Sequence, residues 1–282
     1  MRQRSIGTAR VGAIGYGAMP LSAGGRPDEE QALATVRAAV EAGVTLIDTA
    51  DAYGLGPDDV GHGEALLARL LRRLGAEDVV VATKGGHTRT ADGGWALDGR
   101  PEHLTRAAEA SLRRLGRDAI DLYQYHRPDP DVPYAESLGA LAELARRGVV
   151  RMVGVSNADP AQIRLAREIV GDAFVAVQNE LSPGFRSSEP EVRLCEELGL
   201  AFLAWSPLGG TSSASRLGDE HAAFAQVAAE RGVSPQRVCL AWLLARSPAV
   251  IPIPGARRPE TVRDSAAAAD LDLTPSELAR LG

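Results

Sequence analysis

A chain of 282 residues that is 45% hydrophobic and 24% charged has the composition of a soluble globular protein, long enough for one large domain or two ordinary ones. A net charge of −6, with acids and bases mixed along the chain, argues against a nucleic-acid footprint. No apolar run is long enough to span a membrane, and the opening MRQRSIGTARVGAIG has basic residues but no long apolar core, so no signal peptide is read.

Strand-like apolar runs alternate with amphipathic helical patterns from start to end. VGAIGYGA (11–18) is the first run. A helix follows over PDEEQALATVRAAVEAG (27–43), opened by Pro27 and acids, with Leu33, Val36 and Val40 on one face and a stop at Gly43. TLIDTA (45–50) leads to EALLARLLRRLG (64–75), where Leu67, Leu70, Leu71 and Leu74 repeat before Gly75. VVVATK (79–84) leads to RPEHLTRAAEASLRRLG (100–116), and IDLYQYH (120–126) to AESLGALAELARRG (135–148). VRMVGVSN (150–157) precedes DPAQIRLAREIVG (159–171), and AVQNE (176–180) precedes PEVRLCEELG (190–199). LAFLAWSP (200–207) is followed by SPQRVCLAWLLARS (234–247), with Val238, Ala241, Trp242 and Ala245 at helical spacing. AVIPIPGA (249–256) is the eighth run, and LTPSELARLG closes the chain as a last helix.

Most of these runs are continuously apolar, as expected when both faces of a parallel sheet are covered. Eight strands, each followed by a helix, is the count of a (β/α)8 TIM barrel, and no Pro/Ser-rich linker divides the chain, so 1–282 reads as a single domain. A doubly wound open sheet is the competitor. Gly12, Gly15 and Gly17 are present, but Pro20 stands where its glycine fingerprint requires another small residue. Cys195 and Cys239 lie inside helical patterns without metal-ligand spacing; they read as buried thiols in a reduced cytoplasm, and no metal site is expected.

In such a barrel the C-terminal ends of the strands converge on one mouth. The polar residues found there are Asp48 with Tyr53 just beyond, Lys84, His126, Ser156-Asn157, Gln178-Asn179, Trp205-Ser206, and Pro254-Gly255 before Arg257 and Arg258. Four of them form a coherent chemical set. A phenol with a pKa near ~10 is a poor acid at neutral pH. A nearby ammonium favours the phenolate and lowers that pKa. A carboxylate beside the lysine keeps the ammonium charged and in place. A histidine beside the phenol can orient a substrate oxygen. Asp48, Tyr53, Lys84 and His126 therefore suit proton delivery to an oxygen gaining charge, as carbonyl reduction requires. Taken singly, Asp48 reads equally as a turn cap, Lys84 as a solvated charge, and His126 and Tyr53 as core or rim residues. Asp51 reads as local turn chemistry, or at most a rim residue. His62, His87 and His221 read as loop residues, and His103 as part of a first helical turn.

LIDTADAYG…GHGEALL, VVVATK, SLRRLGRDAIDLYQYHRPDP, GVVRMVGVSN, VQNELSP, AWSPLGG and IPIPGARRPE resemble, in order and along nearly the whole chain, the signature blocks of the aldo-keto reductase family. The resemblance implies a barrel that binds NADP(H) in an extended pose across its mouth and acts on a small carbonyl substrate. It implies a tetrad of Asp48, Tyr53, Lys84 and His126, with Tyr53 as general acid. Ser156, Asn157 and Gln178 would hold the nicotinamide carboxamide, and Trp205 would stack on its ring. Gly17, Ala18, Met19 and Ile253 would also meet the cofactor. Ser206, Pro207, Leu208 and Gly209 would follow the pyrophosphate. Gly255, Arg257, Arg258, Thr261, Asp264 and Ser265 would serve the adenosine end. Two departures stand out: Asp264-Ser265 replaces the family's frequent Glu-Asn, and Ala256 follows Gly255 where a phosphate-binding Lys-Ser pair is common. Arg257 or Arg258 then supplies the charge for a 2′-phosphate, which favours NADP over NAD.

The substrate pocket is expected to be walled by Tyr16, Met19, Tyr53, His126 and Arg127, with Trp95 a candidate from the loop spanning 85–101 and a further wall from LGGTSSASRLG. Arg127 could bind an anionic substrate, although HRPDP is also a structural turn. The chain ends on a helix without the long C-terminal loop of some relatives, so an open site with broad tolerance is expected. A monomer or weak homo-oligomer in the cytoplasm is expected. Two other functions are kept: a barrel aldolase with a Schiff-base Lys84, which a nearby Asp48 opposes, and a non-catalytic or redox-sensing NADP(H)-binding subunit.

Overall fold

The computed structural model describes residues 1–210 and 212–282. The chain opens on a hairpin, β1 (Gln3–Ile6) antiparallel to β2 (Ala9–Gly12), with Gly7 at φ 54° in its turn. Next come β3 (Tyr16–Gly17), β4 (Leu46–Asp48) and β5 (Val80–Gly85). A second hairpin follows, β6 (His87–Arg89) with β7 (Trp95–Leu97). Then come β8 (Ile120–Tyr125), β9 (Val150–Ser156), β10 (Phe174–Glu180), β11 (Ala201–Trp205) and β12 (Val250–Pro252).

Outside both hairpins, the strands form one parallel sheet in the order β12-β11-β10-β9-β8-β5-β4-β3. The sheet closes on itself. The Gly15 N–H donates to the Pro252 carbonyl at 2.9 Å and the Gly17 N–H to that of Pro254 at 3.0 Å. The fold is a (β/α)8 barrel, as the strand count implies. The glycines of the first run explain the seam. A Cβ on Gly17 would stand 2.8 Å from the Ile253 carbonyl oxygen, so only glycine lets the two strands approach. The expected single strand over 11–18 is therefore divided: its first part pairs within the hairpin, and Tyr16 and Gly17 close the barrel.

Helices cover the outside: α1 (Glu29–Glu41), α2 (His62–Leu74), α3 (Pro101–Leu115), α4 (Tyr134–Arg146), α5 (Pro160–Val170), α6 (Glu189–Leu198), α7 (Leu217–Glu220), α8 (Ala222–Arg231), α9 (Pro235–Arg246), α10 (Pro259–Ala267) and α11 (Pro275–Leu281). The Asp28 carboxylate caps α1 by accepting from the Gln31 N–H at 2.8 Å. Helix α2 buries Leu66, Leu67, Leu70 and Leu71, leaves Arg69, Arg72 and Arg73 in solvent, and stops at Gly75 in the left-handed region. Each such leucine contributes about 1.5–3 kcal/mol of burial.

The core has two layers. One lies between barrel and helices; the other fills the barrel. Ile6 and Val11 of the opening hairpin pack inside with Leu46, Leu122, Met152, Leu203 and Ile251. Gly7 sits against Met152 and Val175, near the starts of β9 and β10. The hairpin thus plugs the N-terminal end of the barrel and leaves the C-terminal end to carry the site.

Candidate active site

Asp48 is the last residue of β4, Lys84 lies one residue from the end of β5, and His126 directly follows β8. Tyr53 stands in the turn after β4, its N–H donating to the Ala50 carbonyl at 3.3 Å. Neighbouring strands bring these four together. The Lys84 Nζ donates to Asp48 Oδ1 at 2.6 Å, to the Thr49 carbonyl at 2.8 Å and to the Tyr53 hydroxyl at 3.3 Å. The His126 ring meets the Tyr53 ring edge-on, 5.7 Å between centroids.

Lys84 and Asp48 are buried. Burial opposes the charge on Lys84, but Asp48 and Tyr53 outweigh it and its pKa is raised, so it is an ammonium. Burial also pushes the Tyr53 phenol up; Lys84 pulls the other way, as charge logic expects, yet the net shift is upward. Tyr53 is therefore a neutral phenol holding its proton. Burial, then chiefly the charges of Lys84 and Arg127, drives His126 well below its ordinary value, so its ring is neutral.

Asp48 has a second layer around it. The Gln178 Nε2 donates to Asp48 Oδ2 at 2.8 Å, and the Gln124 Nε2 reaches the same oxygen at 3.3 Å. Gln124 went unnoticed in the sequence, although a glutamine inside the apolar run IDLYQYH is itself a signal. Its Oε1 is buried and has no partner among the described residues.

Asp51 is neither turn surface nor rim: it is buried. It packs near a buried polar cluster in which Glu64 accepts from the Thr83 hydroxyl at 2.5 Å and from the Arg114 Nε at 2.6 Å. Burial, then repulsion from Glu64, raises the Asp51 pKa well above the carboxylate range. The Asp51 carbonyl accepts from the Gly61 N–H, which ties the turn back beneath α2.

The mouth holds a cleft of about 320 Å³, the size of a small-ligand site. Gly17, Met19, Asp48, Tyr53, Trp95, His126, Arg127, Ser156, Asn157, Gln178, Trp205, Ser206, Pro207, Leu208, Ile253 and Gly255 line it, together with His87. Tyr16 does not: strand alternation turns it outward into the layer beneath the helices, where its hydroxyl donates to the Ala256 carbonyl at 2.7 Å. Ala18 is buried and bonds to the Asp48 carbonyl, and Gly209 lines a neighbouring hollow. Asn157 and Ser206 have positive φ, 56° and 46°, a conformation uncommon for residues other than glycine. Asn157 is held there by its side chain, whose Nδ2 donates to the His126 carbonyl and to the Ser156 hydroxyl, both at 3.0 Å.

The family model of the aldo/keto reductases matches residues 13–282. The chain belongs to the aldo/keto reductase family. It is 33% identical over 288 residues to pyridoxine 4-dehydrogenase of Escherichia coli, covering 98% of this chain and 96% of that one. An uncharacterised oxidoreductase of Schizosaccharomyces pombe is 32% identical over 280 residues, 98% of this chain and 87% of that protein. An aldo/keto reductase of Klebsiella pneumoniae, solved in complex with NADP and acetate, superposes with a TM-score of 0.81 at 30% identity, covering 99% and 93% of the two chains. Aldo/keto reductases use a nicotinamide cofactor.

In this aldo/keto reductase the residues expected at the adenosine end lie just before and along α10, and several are engaged with the protein. The Arg257 guanidinium donates to the carbonyls of Gly24 at 2.6 Å and Pro20 at 3.2 Å. Asp264 pairs with Arg237 at 2.6 Å, joining α10 to α9, and Ser265 is buried. Arg258 is exposed, 3.2 Å from Glu260, and Thr261 follows in the first turn of α10.

Proposed function

We propose that this chain is an NADPH-dependent reductase of aldehydes or ketones, with Tyr53 as general acid. The observation that carries the proposal is the Tyr53 hydroxyl, which lines the cleft while its oxygen lies 3.3 Å from the Lys84 ammonium.

The donor set suits a nicotinamide. Gln178 spends its amide N–H on Asp48, which leaves its oxygen to accept from a carboxamide. Ser156 and Asn157 supply further polar atoms, and the Trp205 ring offers a flat face. Arg258, exposed and paired at the surface with Glu260, is the better placed cation for a 2′-phosphate, since Arg257 is committed to two carbonyls. The relative solved with NADP supports the same choice.

The cofactor, when bound, supplies hydride to the carbonyl carbon. Tyr53 gives its proton to the oxygen, and Lys84 stabilises the phenolate that remains. Asp48 keeps Lys84 charged and fixed, and the two glutamines fix Asp48. The neutral His126 positions the oxygen against the phenol. Solvent returns the proton to Tyr53, completing reduction of C=O to CH–OH. Residues 1–282 act here as a single domain, supported by one outer core cluster that runs from Ala13 to Leu281. A reducing, cytoplasmic setting fits the free buried thiols of Cys195 and Cys239.

The test is NADPH consumption over a panel of aldehydes, ketones and quinones, repeated with Tyr53→Phe. Loss of the hydroxyl should lower kcat by about 10²–10⁴-fold with NADPH binding nearly unchanged. Unchanged turnover in Tyr53→Phe would overturn the assignment. NADPH binding without steady-state turnover on any carbonyl would favour a non-catalytic cofactor-binding subunit.

A further inference from the structure

The hairpin β6–β7 follows Gly86 and stands beside the tetrad. Its His87 ring meets His126 edge-on, 4.6 Å between centroids, and lies 4.8 Å from the Trp95 ring at an angle of 32°. The Arg89 guanidinium covers Trp95 at 4.1 Å and also reaches the Leu55 carbonyl at 3.4 Å. The hairpin register sets Arg89 directly across from Trp95, so the cation holds the indole in place. Tyr53, His126, His87, Trp95 and Arg89 thus form one continuous row of planar groups from the proton donor to solvent. Trp95, at the outer part of the row, is 50% exposed, and both it and His87 line the cleft.

We propose that the His87–Trp95 wall determines substrate specificity, selecting carbonyls conjugated to a flat ring, aryl aldehydes and aryl ketones, over saturated carbonyls of the same size. The proposal rests on the reductase reading above. A carbonyl whose oxygen lies at Tyr53 and His126 carries its substituent along the next surface, which is His87 and then Trp95. A planar ring meets that surface face to face or edge to face; a puckered ring touches it at few atoms. His87 is suited to this contact because it is uncharged: burial, with the charges of Arg127, Arg89 and Lys84, holds its pKa down at about 4. A neutral imidazole presents an aromatic ring rather than a solvated cation.

The experiment compares kcat/KM for benzaldehyde and cyclohexanecarboxaldehyde, which have the same heavy atoms and differ in planarity. It adds 2-naphthaldehyde, whose second ring reaches further along the row. Ratios between substrates are compared across wild type, His87→Leu, Trp95→Leu and Trp95→Phe, so the differing electrophilicities of the aldehydes cancel. His87→Leu should lower the benzaldehyde-to-cyclohexyl ratio by about three- to tenfold, through KM for benzaldehyde rather than kcat. Trp95→Leu should lower the gain of naphthaldehyde over benzaldehyde to a similar degree, and Trp95→Phe should restore most of it. Ratios that stay at the wild-type value in both leucine variants would overturn the proposal, as would a Trp95→Phe variant that behaves like Trp95→Leu. Failure of the reductase reading looks different: wild type and Tyr53→Phe would then be equally inactive, or equally active, on all three aldehydes.

Discussion

Asp48 Oδ1 and Lys84 Nζ lie 2.6 Å apart, both side chains buried. Thr49 and Tyr53 occupy the remaining hydrogens of the ammonium, so Lys84 has no free donor. Breaking a buried pair from one side costs about 3–5 kcal/mol, because the other charge is left uncompensated. Lys84→Met should therefore lose turnover and also lower Tm by several degrees in a thermal melt. A variant that lost activity with an unchanged Tm would show that Asp48 does not depend on Lys84 for its burial.

The two glutamines around Asp48 should behave differently. Gln178→Met removes a 2.8 Å bond to a buried carboxylate and should cost about 1–3 kcal/mol in denaturant titration. Gln124→Met removes a 3.3 Å contact, and with it a buried amide oxygen that has no partner among the described residues. Its cost should stay below about 1 kcal/mol. Equal losses would mean that both amides hold Asp48 equally.

The fold and the gathering of Asp48, Tyr53, Lys84 and His126 at one mouth were legible because polar residues closing apolar strands are anomalies with few explanations. Asp48, Lys84 and His126 each interrupt such a run, and the parallel sheet brings them to one mouth. Asp51 was misassigned because a turn has no periodicity that says which way a side chain points; burial against Glu64 is a tertiary fact. Tyr16 failed for the opposite reason: the two-residue strand does alternate, but the glycines flanking it face the seam and send the tyrosine outward. Both hairpins escaped notice, being strands of only three or four residues without a long alternating run. Helix α8 was missed as well; its buried residues Phe224, Val227 and Ala228 give a thin apolar face in an alanine-rich segment.

Asp51 makes stability depend on pH in an identifiable direction. Its pKa is raised in the folded state, so its contribution is complete at low pH and is lost as the pH climbs past the unfolded value near ~3.9. Asp51→Asn has no such proton to lose. Melts over about pH 4 to pH 8 should show the variant gaining Tm on wild type as pH rises. A difference that does not vary with pH would place Asp51 in a more solvated setting than its burial indicates.

His87 works with the opposite sign. Its folded pKa of about 4 lies below the usual 6.5, so the stability tied to its neutral form is complete above 6.5 and is lost as the pH falls toward 4. His87→Leu should flatten that acid limb. In wild type, kcat/KM for an aryl aldehyde should show no break near 6.5 from this residue. A break there that disappears in His87→Leu would mean that the imidazole titrates in the working range.

The opening hairpin makes the barrel a vessel with a single opening. Ile6 and Val11 close the base, and the side chains packed above them fill the barrel, so ligands meet it at the mouth alone. Ten residues at the start of the chain thus close the end of the barrel opposite the chemistry.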